Sequence, residues 1–100
     1  MKSRMNIAAS AEKLLSLRGK VSVISGGASG IGLGTALKLA EFGSAVAILD
    51  VNEKNGRDAL QKITAHGADA LFVQCDVRDA ASCSEAIEKV ISAFGRIDVL

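Results

Sequence analysis

Val21-Ser22-Val23-Ile24-Ser25-Gly26-Gly27-Ala28-Ser29-Gly30-Ile31-Gly32 joins an apolar run to a cluster of glycines. The run through Ile24 reads as a buried strand. Leu33, Ala36, Leu37 and Ala40 follow at the three- and four-residue spacing of a helix's inner face. The glycines therefore sit at a strand-to-helix turn, where a parallel α/β sheet can bind phosphate. Gly26 is expected to make a tight turn at positive φ. Gly30 would let a diphosphate reach the backbone with no Cβ in the way. Gly32 would let the helix pack close to the strands. Unpaired amides at the helix start would then face the anion, helped by the positive end of the helix dipole.

The glycines are spaced G-x-x-x-G-x-G rather than G-x-G-x-x-G. Reading the commoner pattern from Gly30 would ask for Gly or Ala at position 35, where Thr35 stands. Glycine also collects in turns of no function, so the flanking strand and helix carry the reading.

Outward from this turn, strand and helix alternate. The first strand covers about 20–25 and the first helix about 30–42, closed by Gly43. Ala45 to Leu49 is a second strand ending at Asp50. Asn52 has the residue type and place of a helix N-cap. The second helix would bury Ala59, Leu60 and Ile63 and end at Gly67, with His66 near the negative end of its dipole. A third strand is expected over about 70–74. Asp79 would then cap a third helix with an apolar stripe of Cys83, Ala86, Ile87, Val90, Ile91 and Phe94. Gly95 ends it, and Ile97-Asp98-Val99-Leu100 begins a fourth strand. Such alternation predicts a parallel sheet with right-handed crossovers, in the order 3-2-1-4.

Composition agrees. Hydrophobic residues make up 49% of the 100 residues. Mean hydropathy is +0.31, as expected of parallel strands buried on both faces. The net charge of +1 gives no basic stripe for nucleic acid. No apolar run is long enough to span a bilayer. Cys75 and Cys83 are the only cysteines and lack metal-ligand spacing, so no metal is expected and both read as reduced core residues. Residues 1–16 form an N-terminal extension. Lys2 and Arg4 precede the first acid, Glu12, which suits either a mitochondrial targeting peptide or a frayed extension. The expected location is the cytoplasm, with the mitochondrial matrix as the alternative.

Ser25-Gly26-Gly27-Ala28-Ser29-Gly30-Ile31-Gly32 resembles the cofactor loop of the short-chain dehydrogenase/reductase family, usually Thr-Gly-x-x-x-Gly-Ile-Gly. Ser25 replaces the threonine and keeps its hydroxyl. The resemblance runs from about Leu17 to Leu100. It implies that residues 17–100 are part of a Rossmann-type NAD-binding domain. Ser25, Gly26, Ser29, Gly30, Ile31 and Gly32 would then form the cofactor loop.

Asp50 lies eighteen residues after Gly32, at a strand end that faces the adenosine ribose in a dinucleotide fold. Its carboxylate would accept from the ribose hydroxyls and repel a 2′-phosphate. Ser29 and Val51 beside it are neutral, so NAD is expected over NADP, although Lys54 and Arg57 lie close in sequence. In isolation Asp50 could equally be a turn residue. The resemblance also implies adenine contacts from Asp76, accepting from the exocyclic amine, and from the Val77 amide.

The family's catalytic Ser and its Tyr-x-x-x-Lys pair have no counterpart, and the sequence contains no tyrosine. No catalytic residue is assigned, and these 100 residues alone are expected to be inactive. The resemblance implies the amino-terminal, cofactor-binding part of an NAD-dependent oxidoreductase that interconverts an alcohol and a ketone and forms homo-oligomers. The alternative is a stand-alone nucleotide-binding or interaction module.

Overall fold

The computed structural model describes residues 16–100; the extension proposed for residues 1–16 lies almost wholly outside them. Strand β1 (Val21–Ser25) leads into helix α1 (Gly30–Glu41). Strand β2 (Ala45–Asp50) and helix α2 (Glu53–Thr64) follow. Strand β3 (Ala70–Gln74) and helix α3 (Ala80–Phe94) complete the set.

The three strands form one parallel sheet with β2 in the centre. The caps form as their residue types suggest. The Asn52 side chain accepts from the Asn55 amide at 2.9 Å, and Asp79 accepts from Ala81 at 3.0 Å. α3 closes on Gly95 in the left-handed conformation.

Consecutive residues of β2 are buried on opposite faces of the sheet, which explains its unbroken apolar run. Val46 and Ile48 pack with Ala36 and Ala40 of α1 and with Ala59 and Ile63 of α2. Ala47 and Leu49 pack on the other side with Val21, Val23, Val73, Ala86 and Val90. Thus α1 and α2 cover one face and α3 the other. Two polar residues are buried within this frame, and they satisfy each other. The Ser22 and Ser44 hydroxyls lie 2.8 Å apart, and Ser44 Oγ also donates to the Ala45 carbonyl at 2.7 Å.

Three sequence expectations change. Ile97–Leu100 does not extend as a fourth strand. It lies beside β1 through a single parallel bridge, Ser22 to Val99, in the place that the order 3-2-1-4 assigns. The Asp98 carboxylate takes the Val21 amide at 2.9 Å, so a side chain replaces a ladder bond there. Ile91, counted in the buried stripe of α3, is 47% exposed. Ala86 and Val90 form the buried line, and Ile91 lies about 100° further round the helix. Leu60 of α2 is only half-buried, whereas Gly56, not singled out by periodicity, is buried. A Cβ on Gly56 would stand 2.1 Å from the Phe72 ring, so α2 approaches β3 closely at that glycine.

Candidate functional site

The carboxyl ends of β1, β2 and β3 bring three loops to one edge of the sheet. The first is the glycine turn. Gly26 has φ +65° and Gly30 has φ +58°, conformations that a side chain would strain. The Gly26 amide donates to the Leu49 carbonyl at 2.7 Å and fastens the turn to β2. A Cβ at Gly30 would meet no atom within 4 Å, so the approach to that backbone is open.

Gly32 has a different reason from the one expected. A Cβ there would lie 2.1 Å from the Gly26 carbonyl oxygen, so the helix packs against the turn itself rather than against the strands. Gly27, which the sequence reading left without a role, is buried. A Cβ there would stand 2.7 Å from the Ile48 side chain. Both close approaches shape the same turn.

Ser29 occupies the N-cap position of α1, but its side chain makes no capping bond, and the first turn contains no acidic residue. Among the described residues, the amides of Gly30, Ile31 and Gly32 have no acceptor. A helix start with free donors and no acidic residue in its first turn suits an anion. Ser25 is exposed at the end of β1, next to the turn.

The second loop follows β2. Asp50 Oδ2 accepts from the Ala28 amide at 3.3 Å, and Oδ1 accepts from the Asn52 amide at 3.0 Å. One carboxylate therefore holds the glycine turn and the β2–α2 corner together. Each oxygen retains a lone pair for a further donor. Val51 beside it is 56% exposed.

The third loop follows β3. A shallow cavity of about 410 Å³ there is lined by Val51, Gln74, Cys75, Asp76 and Ser82. Gln74 Nε2 donates to the Val51 carbonyl at 3.1 Å and bridges the second and third loops. The Ser82 hydroxyl accepts from the Asp76 amide at 3.1 Å. No sequence pattern marked Gln74 or Ser82. The Val77 amide has no acceptor among the described residues, and its side chain is 58% exposed.

Asp76 forms a fork-like pair with the Arg78 guanidinium. The Arg78 side-chain and backbone bonds hold the Asp76 carboxyl below its ordinary range, and the Asp76 bond raises Arg78 in turn. Cys83 lies under this loop, 3.6 Å from the Val77 carbonyl. Burial first, then the neighbouring Cys75 thiol, pushes the Cys83 thiol up, which makes it a poor nucleophile at neutral pH.

Apolar side chains of Ile31, Val51 and Val77 thus line the same rim as the polar groups of Asp50 and Asp76. Such a mixture suits a ligand with flat apolar rings and a charged middle. A second cavity of about 370 Å³ lies at the opposite, amino edge of the sheet and includes none of these residues. His66 is exposed there, with Nδ1 2.8 Å from the Lys62 carbonyl. Among the described residues no group of His, Cys, Asp or Glu could hold a metal. No described helix is long and apolar enough to cross a membrane.

A parallel sheet with a glycine turn at its first carboxyl end defines a Rossmann-type α/β protein. Residues 20–100 match the family model for short chain dehydrogenase, and the chain belongs to that family. This is a family of oxidoreductases that use nicotinamide cofactors.

The chain is 46% identical over 84 residues to 2,5-dichloro-2,5-cyclohexadiene-1,4-diol dehydrogenase of Sphingobium indicum. That match covers 84% of this chain and 34% of the relative. Among solved structures, NAD+-bound xylitol dehydrogenase superposes with a TM-score of 0.80 at 36% identity, over 82% of this chain and 32% of that one. A metagenomic short-chain oxidoreductase in complex with NADP superposes at 0.79 with 32% identity, covering 84% of this chain and 38% of that one. The chain spans about a third of the length of these relatives.

Proposed function

We propose that the chain forms the NAD-binding part of an oxidoreductase that interconverts an alcohol and a ketone. The observation that carries this reading is the Asp50 carboxylate, fixed at the end of β2 beside the glycine turn. In that position it accepts from the ribose hydroxyls of a bound adenosine and opposes a 2′-phosphate by charge. Both NAD and NADP occur in the related structures, so the choice between them rests on this chain's own residues.

The remaining residues fit the same ligand. The free amides of Gly30, Ile31 and Gly32 receive the diphosphate. Ser25, Gly26 and Ser29 shape the turn that presents them. Val51, Asp76 and Val77 form the adenine side, with Asp76 accepting from the exocyclic amine and the Val77 amide donating to the ring. When bound, the nicotinamide cofactor supplies the hydride chemistry. The residues described here bind and orient its adenosine half. The proposed compartment is the cytoplasm, consistent with two free thiols.

Calorimetry of the full chain with NAD and NADP tests the proposal. NAD should bind about tenfold tighter, the worth of one charge-assisted hydrogen bond. Equal or tighter binding of NADP would overturn it.

A further inference from the structure

We propose that Arg78 is a positioning residue for base recognition: it occupies all but one of the acceptor sites of Asp76 and holds the remaining one in place for the exocyclic amine of adenine. The inference rests on the proposed adenine contact at Asp76 and adds to it the residue that makes that contact selective.

The count of acceptor sites is explicit. Asp76 Oδ1 accepts from the Arg78 backbone amide at 3.0 Å and from Arg78 Nε at 3.0 Å. Asp76 Oδ2 accepts from Arg78 Nη2 at 3.0 Å. An ionised carboxylate has about four lone-pair sites, two on each oxygen. Both sites on Oδ1 are taken, and one remains on Oδ2.

That remaining site accepts one N–H, and the carboxylate can donate nothing. Adenine presents an amine at the corresponding edge. Hypoxanthine presents a carbonyl oxygen, which would meet a carboxylate oxygen acceptor to acceptor, and a ring N–H that would face the Val77 amide donor to donor.

Arg78 also fixes the direction of the site. A fork-like guanidinium contact leaves a carboxylate less freedom to rotate than a single bond does. The Asp76 backbone is held independently through its amide to Ser82 Oγ, and the Asp79 amide donates to the Asp76 carbonyl at 3.0 Å. Removing the guanidinium therefore leaves the Asp76 carboxylate held only through Oδ1 by the residue-78 backbone amide, without releasing the loop. The Arg78 side chain is 86% exposed, so its replacement disturbs no core.

The test compares NAD with its hypoxanthine counterpart by calorimetry on the full chain. Wild type should prefer NAD by about tenfold, the range of a hydrogen bond to a charged group. R78Q should lower that ratio severalfold, mainly by weakening NAD, without erasing it, because the Asp76 carboxylate keeps its backbone bond and the Val77 amide still favours adenine's ring nitrogen. R78K, which restores a cation but not the fork, should give an intermediate ratio. D76N, whose amide can donate to a carbonyl, should lower or reverse the preference. If R78Q keeps the wild-type ratio while D76N lowers it, the role given to Arg78 is wrong and the adenine contact stands. If D76N also keeps the ratio, or wild type shows none, the adenine contact at Asp76 fails and this inference with it.

Discussion

The Asp50 carboxylate accepts from the Ala28 amide at 3.3 Å, across 22 residues of sequence. The residue proposed to hold the ribose therefore also holds the turn proposed to hold the diphosphate. The two parts of the site are mechanically joined. D50A should lower NAD affinity about tenfold or more, the loss of a charge-assisted contact. It should lower NADP affinity less, because a repulsion disappears with the carboxylate. Calorimetry with both dinucleotides measures this, and an equal loss for both would contradict the proposed selectivity.

Gly32 faces a backbone atom rather than a yielding side chain. G32A places a methyl 2.1 Å from the Gly26 carbonyl oxygen, so the turn must move. The expected outcome is a destabilisation of about 1–3 kcal/mol, with a larger relative loss of cofactor affinity than of folding. Urea denaturation and NAD titration on the same variant separate the two effects. Wild-type binding by G32A would show that the turn's geometry is not needed.

Gly56 meets an aromatic ring instead. G56A gains helix propensity of roughly 1 kcal/mol, but its methyl would overlap Phe72. Overpacking costs about 1–3 kcal/mol, so net destabilisation is expected. Adding F72L should recover part of the loss, because the two positions touch. Thermal melts of the single and double variants check the sign. A G56A variant more stable than wild type would show that the ring moves aside freely.

Asp98 carries a pH signature. Its side chain is 16% exposed and pairs with Arg96. The Arg96 side-chain bond, then the Val21 amide, hold its carboxyl below the ordinary range. A carboxyl lowered on folding stabilises the folded state above the unfolded-state pKa, and that support is lost as pH falls through the folded value. D98N should therefore be less stable than wild type between pH 5 and about 7, with the gap closing below about pH 4. Urea midpoints across this range provide the measurement. A gap that stays constant into acid would refute the electrostatic origin.

The parts legible in the sequence were those governed by local pattern. Among the described residues, apolar runs and periodicity located the three strands and three helices, and residue type alone marked Asn52 and Asp79 as caps. The apolar run placed Asp50 at the end of the second strand, the family resemblance singled out Asp76 and Val77, and the structure puts all three on the same edge as the glycine turn. Contacts between distant segments were not legible. Gly27 against Ile48 and Gly56 against Phe72 depend on which strand lies beneath each turn or helix. The Gln74–Val51 and Ser82–Asp76 bonds depend on side-chain reach between loops. Nothing in the sequence distinguishes Arg78 from other surface cations; its three bonds to Asp76 exist only in the folded loop. Ile91 fitted the apolar spacing of α3, but the helix contacts the sheet along a narrower line than that spacing suggests.

The strand registers carry a consequence for the order of folding. Val21 pairs with Ala45, and Val46 pairs with Ala70, each 24 residues apart. The Ser22–Val99 bridge closes a span of 77 residues. Loop closure grows as about three-halves of RT times the logarithm of length, so the long span costs about 1 kcal/mol more than either short one. It is also held by one bridge instead of a full ladder. The β1–β2 and β2–β3 pairings should therefore assemble first, and residues 97–99 should add to an edge that already exists. In hydrogen exchange, the Val23 amide, bonded to Val99 at 2.8 Å, should open earlier than the amides of β2 at the sheet's centre.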